Sequence, residues 1–116
     1  MIDETRLQAV TGGDAVFALE LIELLVSEAT QLADELRARH KLGDRARLKE
    51  GGHALKGMAA NVGATRLAAL GERLQSEAAN PSAKLEDLGD LLMQIDAQIA
   101  AIQAWRAQKS REGLQS

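Results

Sequence analysis

The chain of 116 residues contains no cysteine, a single proline and only two aromatic side chains, Phe17 and Trp105. The absence of cysteine excludes disulfides, thiol nucleophiles and thiolate metal sites. Two aromatic rings cannot form the stacking platform with which many proteins bind RNA or single-stranded DNA. The formal net charge of −3 provides no basic surface for a phosphate backbone. We therefore expect no nucleic-acid partner.

Long apolar runs are also missing from the sequence. No run approaches the roughly 18 apolar residues that a membrane-spanning helix needs. The first residues, Met1 to Glu4, include two acidic side chains and do not lead into the apolar core of a signal peptide. Hydrophobic residues nevertheless make up 46% of the chain, which is enough for a packed core. We expect a single cytoplasmic domain that has no membrane partner.

Helix-forming residues dominate, because Ala, Leu, Glu, Gln and Arg are frequent whereas β-branched residues are sparse. Asp14 and Asp44 are suitable N-caps, and Gly63 suits the left-handed position at a helix end. The patterns predict helices over residues 3–10, 15–40, 45–62, 64–79 and 84–108. We predict an all-α fold, an up-and-down antiparallel four-helix bundle with a short extra N-terminal helix. The bundle domain would span 1–108, and 109–116 would be a flexible polar tail.

Apolar stripes predict which side of each long helix faces the core. The stripe of the second helix consists of Phe17, Leu21, Leu24, Leu25, Leu32 and Leu36. The stripes of the last two helices consist of Leu67, Leu70, Leu74 and Ala78, and of Leu85, Leu88, Leu92, Ile95, Ile99 and Ile102. The first half of the second helix is apolar on more than one side, so either the first helix covers it or a partner docks there. We favour a lid formed by the first helix, with part of its rim used in docking.

The third helix contains three glycines, Gly51, Gly52 and Gly57, within seven residues. Each glycine inside a helix costs roughly 0.8–1 kcal/mol relative to alanine, out of a total stability of about 5–15 kcal/mol. This cost indicates that the missing side chains serve a purpose. At 100° per residue, Gly51 and Gly52 face the bundle, where they would admit a neighbouring helix. Gly57 lies on the opposite, exposed face.

That exposed face carries Lys49, His53, Lys56, Gly57 and Ala60. An imidazole in water is available as a nucleophile or base near neutral pH. Two ammonium groups beside it disfavour a metal cation and favour a phosphoryl group, whose transfer depends on positioning and on countering the oxygen charges. The small residues Gly57 and Ala60 would leave the approach open to another protein.

These residues match a known signature. The run His53-Ala54-Leu55-Lys56-Gly57, followed by Gly63 and then by Leu67, Leu70 and Leu74, resembles the histidine-containing phosphotransfer (HPt) domain. The resemblance extends over the whole chain, since that family is a helical bundle of about this size. It implies that His53 accepts a phosphoryl group from a receiver-domain aspartyl phosphate and passes it to another receiver. It also implies that Lys56 assists the phosphate and that Gly57 makes room for the receiver.

The polar faces of the helices suggest a monomer, and the resemblance implies that its partners are response-regulator receiver domains and a hybrid sensor kinase. We expect no cofactor of its own, with Mg²⁺ held by the carboxylates of the receiver. The sequence has no Walker-type glycine-rich loop and no second lobe for ATP. We therefore expect a phosphoryl carrier without ATP-dependent kinase activity of its own. Many family members carry a glutamate where this chain has Gln75, and we interpret that difference as structural variation because the position is remote from His53 in sequence.

Alternative interpretations of the same residues exist. Glu50 and His53 have the Glu-x-x-His spacing of di-iron bundles, but such sites need two inward-facing motifs. Here there is one, and it faces outward, so we predict no metal site. His40 is interpreted as a favourable cation at a helix C-terminus, and Lys49 is as compatible with a solvated surface charge as with docking. The main functional alternative is a non-phosphorylated helical adaptor that binds a receiver or kinase domain.

Overall fold

The computed structural model describes residues 2–115, which form five α-helices and no β-strand. The helices are α1 (Glu4–Thr11), α2 (Ala15–Lys41), α3 (Arg45–Asn61), α4 (Thr65–Ala79) and α5 (Leu85–Gln115). The predicted all-helical bundle, with one short helix before four longer ones, is confirmed. Within the described residues no helix is both long and apolar enough to span a bilayer.

Aspartates cap the first three helices. The side chains of Asp14 and Asp44 accept hydrogen bonds from the backbone N–H groups three residues later, as predicted. Asp3 caps α1 in the same way. Gly63 has a φ of +87°, which confirms its predicted left-handed conformation between α3 and α4. These signals fix the starts of α1, α2 and α3 and the turn between α3 and α4.

The core contains one side of each long helix. Leu48 and Leu55 of α3, Leu67 and Leu74 of α4, and Ile95 of α5 are almost completely buried. The predicted stripe of α2 is wrong in part, because Phe17 and Leu24 are 42% and 53% exposed. Leu25 and Leu36 are buried as predicted, and the other buried residues of α2 are Ile22, Ala29 and Ala33. The core-facing side is therefore rotated, and small alanines occupy two of its positions.

The last helix is longer than predicted. The sequence indicates an end at Gln108, but α5 continues to Gln115, so that boundary is wrong. Lys109 forms an ion pair of 3.3 Å with Glu4 of α1, which ties this extension to the first helix. The division into a domain over 1–108 and a flexible tail over 109–116 stays a prediction, and Ser116 lies outside the described residues.

Neighbouring helices are joined by apolar and ionic contacts. Within the bundle α2 packs against α3 and α5, and α4 packs against the same two helices. Arg37 pairs with Asp96 at 2.6 Å, whereas Arg106 pairs with Glu23 at 2.9 Å. The earlier residue of α2 thus meets the later residue of α5, so these two helices run in opposite directions.

The short helix α1 covers one end of the bundle. Leu7 is only 4% exposed, and the backbone N–H of Asp3 donates to the carbonyl of Gly63 at 2.7 Å. These contacts agree with the predicted lid. The lid does not extend over the outer side of α2, because Val16 is 68% exposed there. An apolar strip of α2 therefore remains open to solvent.

Candidate functional site

Two glycines bring α3 and α4 into backbone contact. A Cβ added at Gly52 would lie 2.6 Å from the backbone nitrogen of Gln75 and 2.7 Å from the carbonyl oxygen of Gly71. A Cβ added at Gly71 would lie 2.7 Å from the backbone nitrogen of Lys56. The predicted role of Gly52, admitting a neighbouring helix, is confirmed, and its counterpart is Gly71. This close approach lets side chains at the edges of the two helices reach each other.

The residues predicted for the site share one face of α3. Lys49, His53, Gly57 and Ala60 are exposed, and the side chain of Lys56 is 44% exposed. A Cβ at Gly57 would have no atom within 4 Å, so nothing in the described chain requires a glycine there. The space above Gly57 is open to a partner. The roles of these five residues stay predictions.

Gln75 of α4 contacts the imidazole of His53. The distance from its Oε1 to Nδ1 of His53 is 3.4 Å, at the long end of hydrogen-bond distances. Gln75 is remote from His53 in sequence but close to it in space, since the two helices meet at this level. An amide oxygen can only accept a hydrogen bond, so a hydrogen bond from His53 to Oε1 requires the tautomer in which Nδ1 carries the proton. Position 75 is thus a residue of the site that sequence reasoning missed.

A second contact between α3 and α4 lies one helical turn away. Nζ of Lys56 lies 3.3 Å from Oε1 of Glu72 and forms an ion pair with it. Lys56 is three residues after His53, and Glu72 is three residues before Gln75. The contact of His53 with Gln75 and that of Lys56 with Glu72 therefore join the two helices at successive turns. Glu72 is a further residue that the sequence analysis did not single out.

The other charges near His53 have different partners. Oε2 of Glu50 lies 3.5 Å from Nη1 of Arg47, and the Glu50 side chain is 69% exposed. Glu50 is therefore an exposed carboxylate and not a partner of the imidazole. Lys49 forms no ion pair within residues 2–115. Of the two lysines beside His53, only Lys56 is held by a carboxylate.

A comparison with protein-family models identifies the architecture. The model of the Hpt domain matches residues 20–105, which is most of the chain and includes both α3 and α4. The chain belongs to the Hpt domain family. No curated protein and no solved structure gives a match. Family membership implies a phosphotransfer role in two-component phosphorelays and interaction with receiver domains and kinases.

The second histidine of this Hpt domain lies away from the exposed face of α3. Nε2 of His40, in the last turn of α2, is 2.6 Å from the carbonyl oxygen of Leu85. Its ring packs over Gly89, where an added Cβ would lie 3.0 Å from Cε1. His40 therefore links the end of α2 to the start of α5. In the described part of the chain no three His, Asp or Glu side chains come together as a metal site would require.

Proposed function

We propose that this Hpt domain carries a phosphoryl group on His53 between two response-regulator receiver domains. The observation that supports this most directly is the exposed imidazole of His53, with Gln75 at one ring nitrogen and Lys56 one turn further along α3. An exposed ring is accessible to another protein, and an adjacent ammonium group can counter the phosphoryl oxygens. A non-phosphorylated helical adaptor would need neither the exposed imidazole nor the adjacent ammonium group.

We infer from the contact with Gln75 that Nε2 is the ring nitrogen that reacts. When Nδ1 carries the proton and donates it to Oε1 of Gln75, the lone pair of the neutral ring lies on Nε2. Nε2 attacks the phosphorus of the aspartyl phosphate in line with the bond that breaks. A bond forms between Nε2 and phosphorus, and the bond between phosphorus and the aspartate oxygen breaks. The aspartate leaves as a carboxylate.

The product retains the proton on Nδ1 of His53. The phosphorylated ring therefore carries a positive charge, which the carbonyl dipole of Gln75 stabilises through the same contact. Attack by the aspartate of a second receiver on the phosphorus breaks the bond to Nε2 and restores the neutral ring. We propose that Lys56 counters the phosphoryl charge in both directions, which a carrier requires.

The partner supplies what this chain lacks. We infer that the carboxylates of the receiver hold Mg²⁺, and that this chain has no cofactor of its own and no ATP-dependent kinase activity. Lys49, Gly57 and Ala60 would form the docking surface around His53, since all three are exposed on its face of α3. A hybrid sensor kinase would supply the phosphorylated receiver. We infer a monomeric, cytoplasmic phosphoprotein whose helices α2 to α5 form an up-and-down antiparallel bundle.

A transfer assay tests this proposal. The chain is mixed with Mg²⁺ and a receiver domain that carries a labelled aspartyl phosphate, and several receivers are tried. We expect acid-labile, base-stable label on the wild-type chain and none on His53→Gln, whose unfolding temperature should match that of the wild type because residue 53 is exposed. His40→Gln is the matched control, since it removes the other of the two histidines, and it should still accept label.

Two results would contradict the proposal. Label on the His53→Gln variant would show that a side chain other than His53 accepts the phosphoryl group. Receivers that bind the wild-type chain but never transfer label to it would support the non-phosphorylated adaptor.

A further inference from the structure

Glu72 forms an ion pair with the ammonium group of Lys56, the same group that we propose counters the charge of a phosphoryl group on His53. Nζ of Lys56 lies 3.3 Å from Oε1 of Glu72, whereas among the described residues no carboxylate pairs with Lys49 on the other side of His53. The cation closest in sequence to His53 is thus directed toward α4 before any phosphoryl group is present. Glu72 is therefore placed to compete with a phosphoryl group for Lys56.

The pair is of a kind that can exchange partners. The side chains of Lys56 and Glu72 are 44% and 61% exposed, so water screens their attraction. A phosphoryl group brings up to two negative charges and three acceptor oxygens, against the single charge of a carboxylate. Lys56 and His53 are three residues apart on one helix, and side chains at this spacing are neighbours. Lys56 can therefore move from Glu72 to a phosphoryl group on His53 by rotation about its side-chain bonds.

We propose that Glu72 holds Lys56 in the unphosphorylated chain and releases it to the phosphoryl group, so that Glu72 sets the phosphorylation equilibrium of His53. The inference rests on the proposed function. Before transfer the ion pair stabilises the unphosphorylated state. After transfer Lys56 pairs with the phosphoryl group, and Glu72 is left as an unpaired carboxylate near a second anion. Both effects oppose phosphorylation, so Glu72 makes His53 a better donor and a weaker acceptor.

The test uses a small phosphoryl donor, so that no receiver is needed. Nε2 of His53 displaces ammonia from phosphoramidate: the new bond joins Nε2 to phosphorus, the bond between phosphorus and the donor nitrogen breaks, and ammonia leaves. At a fixed ratio of phosphoramidate to ammonium, the intact mass gives the ratio of phosphorylated to unphosphorylated chain. We expect Glu72→Gln to raise this ratio by roughly 1.4- to 5-fold, which corresponds to the usual strength of an exposed ion pair.

A double-mutant cycle shows whether Glu72 acts through Lys56. Lys56→Gln should lower the ratio, and in that background Glu72→Gln should change it much less than in the wild-type chain. Glu77→Gln is the matched control, because it removes the same charge from the same helix but Glu77 pairs with Arg73. It should leave the ratio unchanged. Higher ionic strength should reduce the effect of Glu72→Gln.

The outcomes separate this inference from the function on which it rests. An unchanged ratio of phosphorylated to unphosphorylated chain in Glu72→Gln would overturn the inference. An equal effect of Glu72→Gln with and without Lys56 would also overturn it, since repulsion between Glu72 and the phosphoryl group would then explain the effect. A chain that phosphoramidate modifies as expected but that no receiver phosphorylates would overturn the relay and leave the role of Glu72 intact. A wild-type chain that neither phosphoramidate nor a phosphorylated receiver modifies at His53 would overturn both.

Discussion

At the scale of single residues, the chemistry of the site depends on what lies beside one imidazole. Oε1 of Gln75 lies 3.4 Å from Nδ1 of His53, which leaves Nε2 as the nitrogen that we propose reacts. Lys56, three residues after His53 on the same helix, is paired with Glu72. A surface histidine without these neighbours would have neither a fixed tautomer nor a nearby counter-charge. The proposed function therefore involves two residues of α4 as well as α3.

We predict that Gln75→Leu slows phosphoryl transfer to His53. Leucine removes the acceptor at Nδ1, and the loss of one hydrogen bond corresponds to roughly 2- to 10-fold in rate. Gln75→Glu keeps an acceptor and should retain transfer. The initial rate of label transfer from a phosphorylated receiver measures both. Equal rates for Gln75→Leu and the wild type would show that the contact does not orient the ring.

The sequence placed His53 and Lys56 correctly because both lie on one helix, where spacing alone fixes their relative position. It could not place Gln75, because that residue reaches His53 only through the register between α3 and α4. That register depends on the contact of Gly52 with Gly71. Two signals were available: the glutamate that many family members carry at position 75, and a second glycine, four residues before Gln75, inside a helix where glycine is otherwise unfavourable.

At the scale of helices, the crossing of α3 and α4 positions the site. Each glycine of the contact faces backbone atoms of the other helix at less than 3 Å from a hypothetical Cβ. Backbone atoms cannot move aside as the end of a flexible side chain can. Larger residues at Gly52 or Gly71 would therefore separate the helices and, with them, His53 from Gln75.

We predict that Gly52→Ala and Gly71→Ala lower the free energy of unfolding. Overpacking costs about 1–3 kcal/mol, which exceeds the roughly 0.8–1 kcal/mol that alanine contributes through helix propensity. Gly57→Ala is the matched control in α3. It should stabilise the chain by about 0.8–1 kcal/mol, because a Cβ there meets no atom within 4 Å. Urea unfolding measures all three, and equal stabilities of Gly52→Ala and Gly57→Ala would contradict close packing at Gly52.

The starts of helices were easier to predict than the end of α5. Asp14 and Asp44 give local signals that do not depend on tertiary contacts. The end of α5 has no such signal, and its polar composition indicated a tail. The helix continues because Lys109 pairs with Glu4 and because Gln108 and Glu112, four residues apart, are joined by a hydrogen bond. The first of these contacts is between distant parts of the chain.

At the scale of the whole molecule, ion pairs connect neighbouring helices around a common apolar core. Glu35 joins α2 to α3 through Arg47 at 2.8 Å, Asp96 joins α5 to α2, and Glu4 joins α1 to α5. All of these pairs are at least partly exposed, so each contributes little by itself. Every one of them needs an ionised carboxylate. The stability of the bundle should therefore depend on pH in the acidic range.

We predict that Glu35 contributes to this dependence. The hydrogen bond from Arg47 holds the pKa of Glu35 below its ordinary value of 4.5. A carboxyl group whose pKa is lower in the folded state stabilises the fold above its unfolded pKa, and this contribution disappears as the pH falls through the folded value. The unfolding temperature of the wild type should therefore fall below about pH 4.5 more steeply than that of Glu35→Gln. Glu28 lies in the same helix and forms no ion pair in the described chain, so Glu28→Gln should follow the wild-type curve of unfolding temperature against pH. A Glu35→Gln curve parallel to both would show that the pair with Arg47 does not stabilise the bundle.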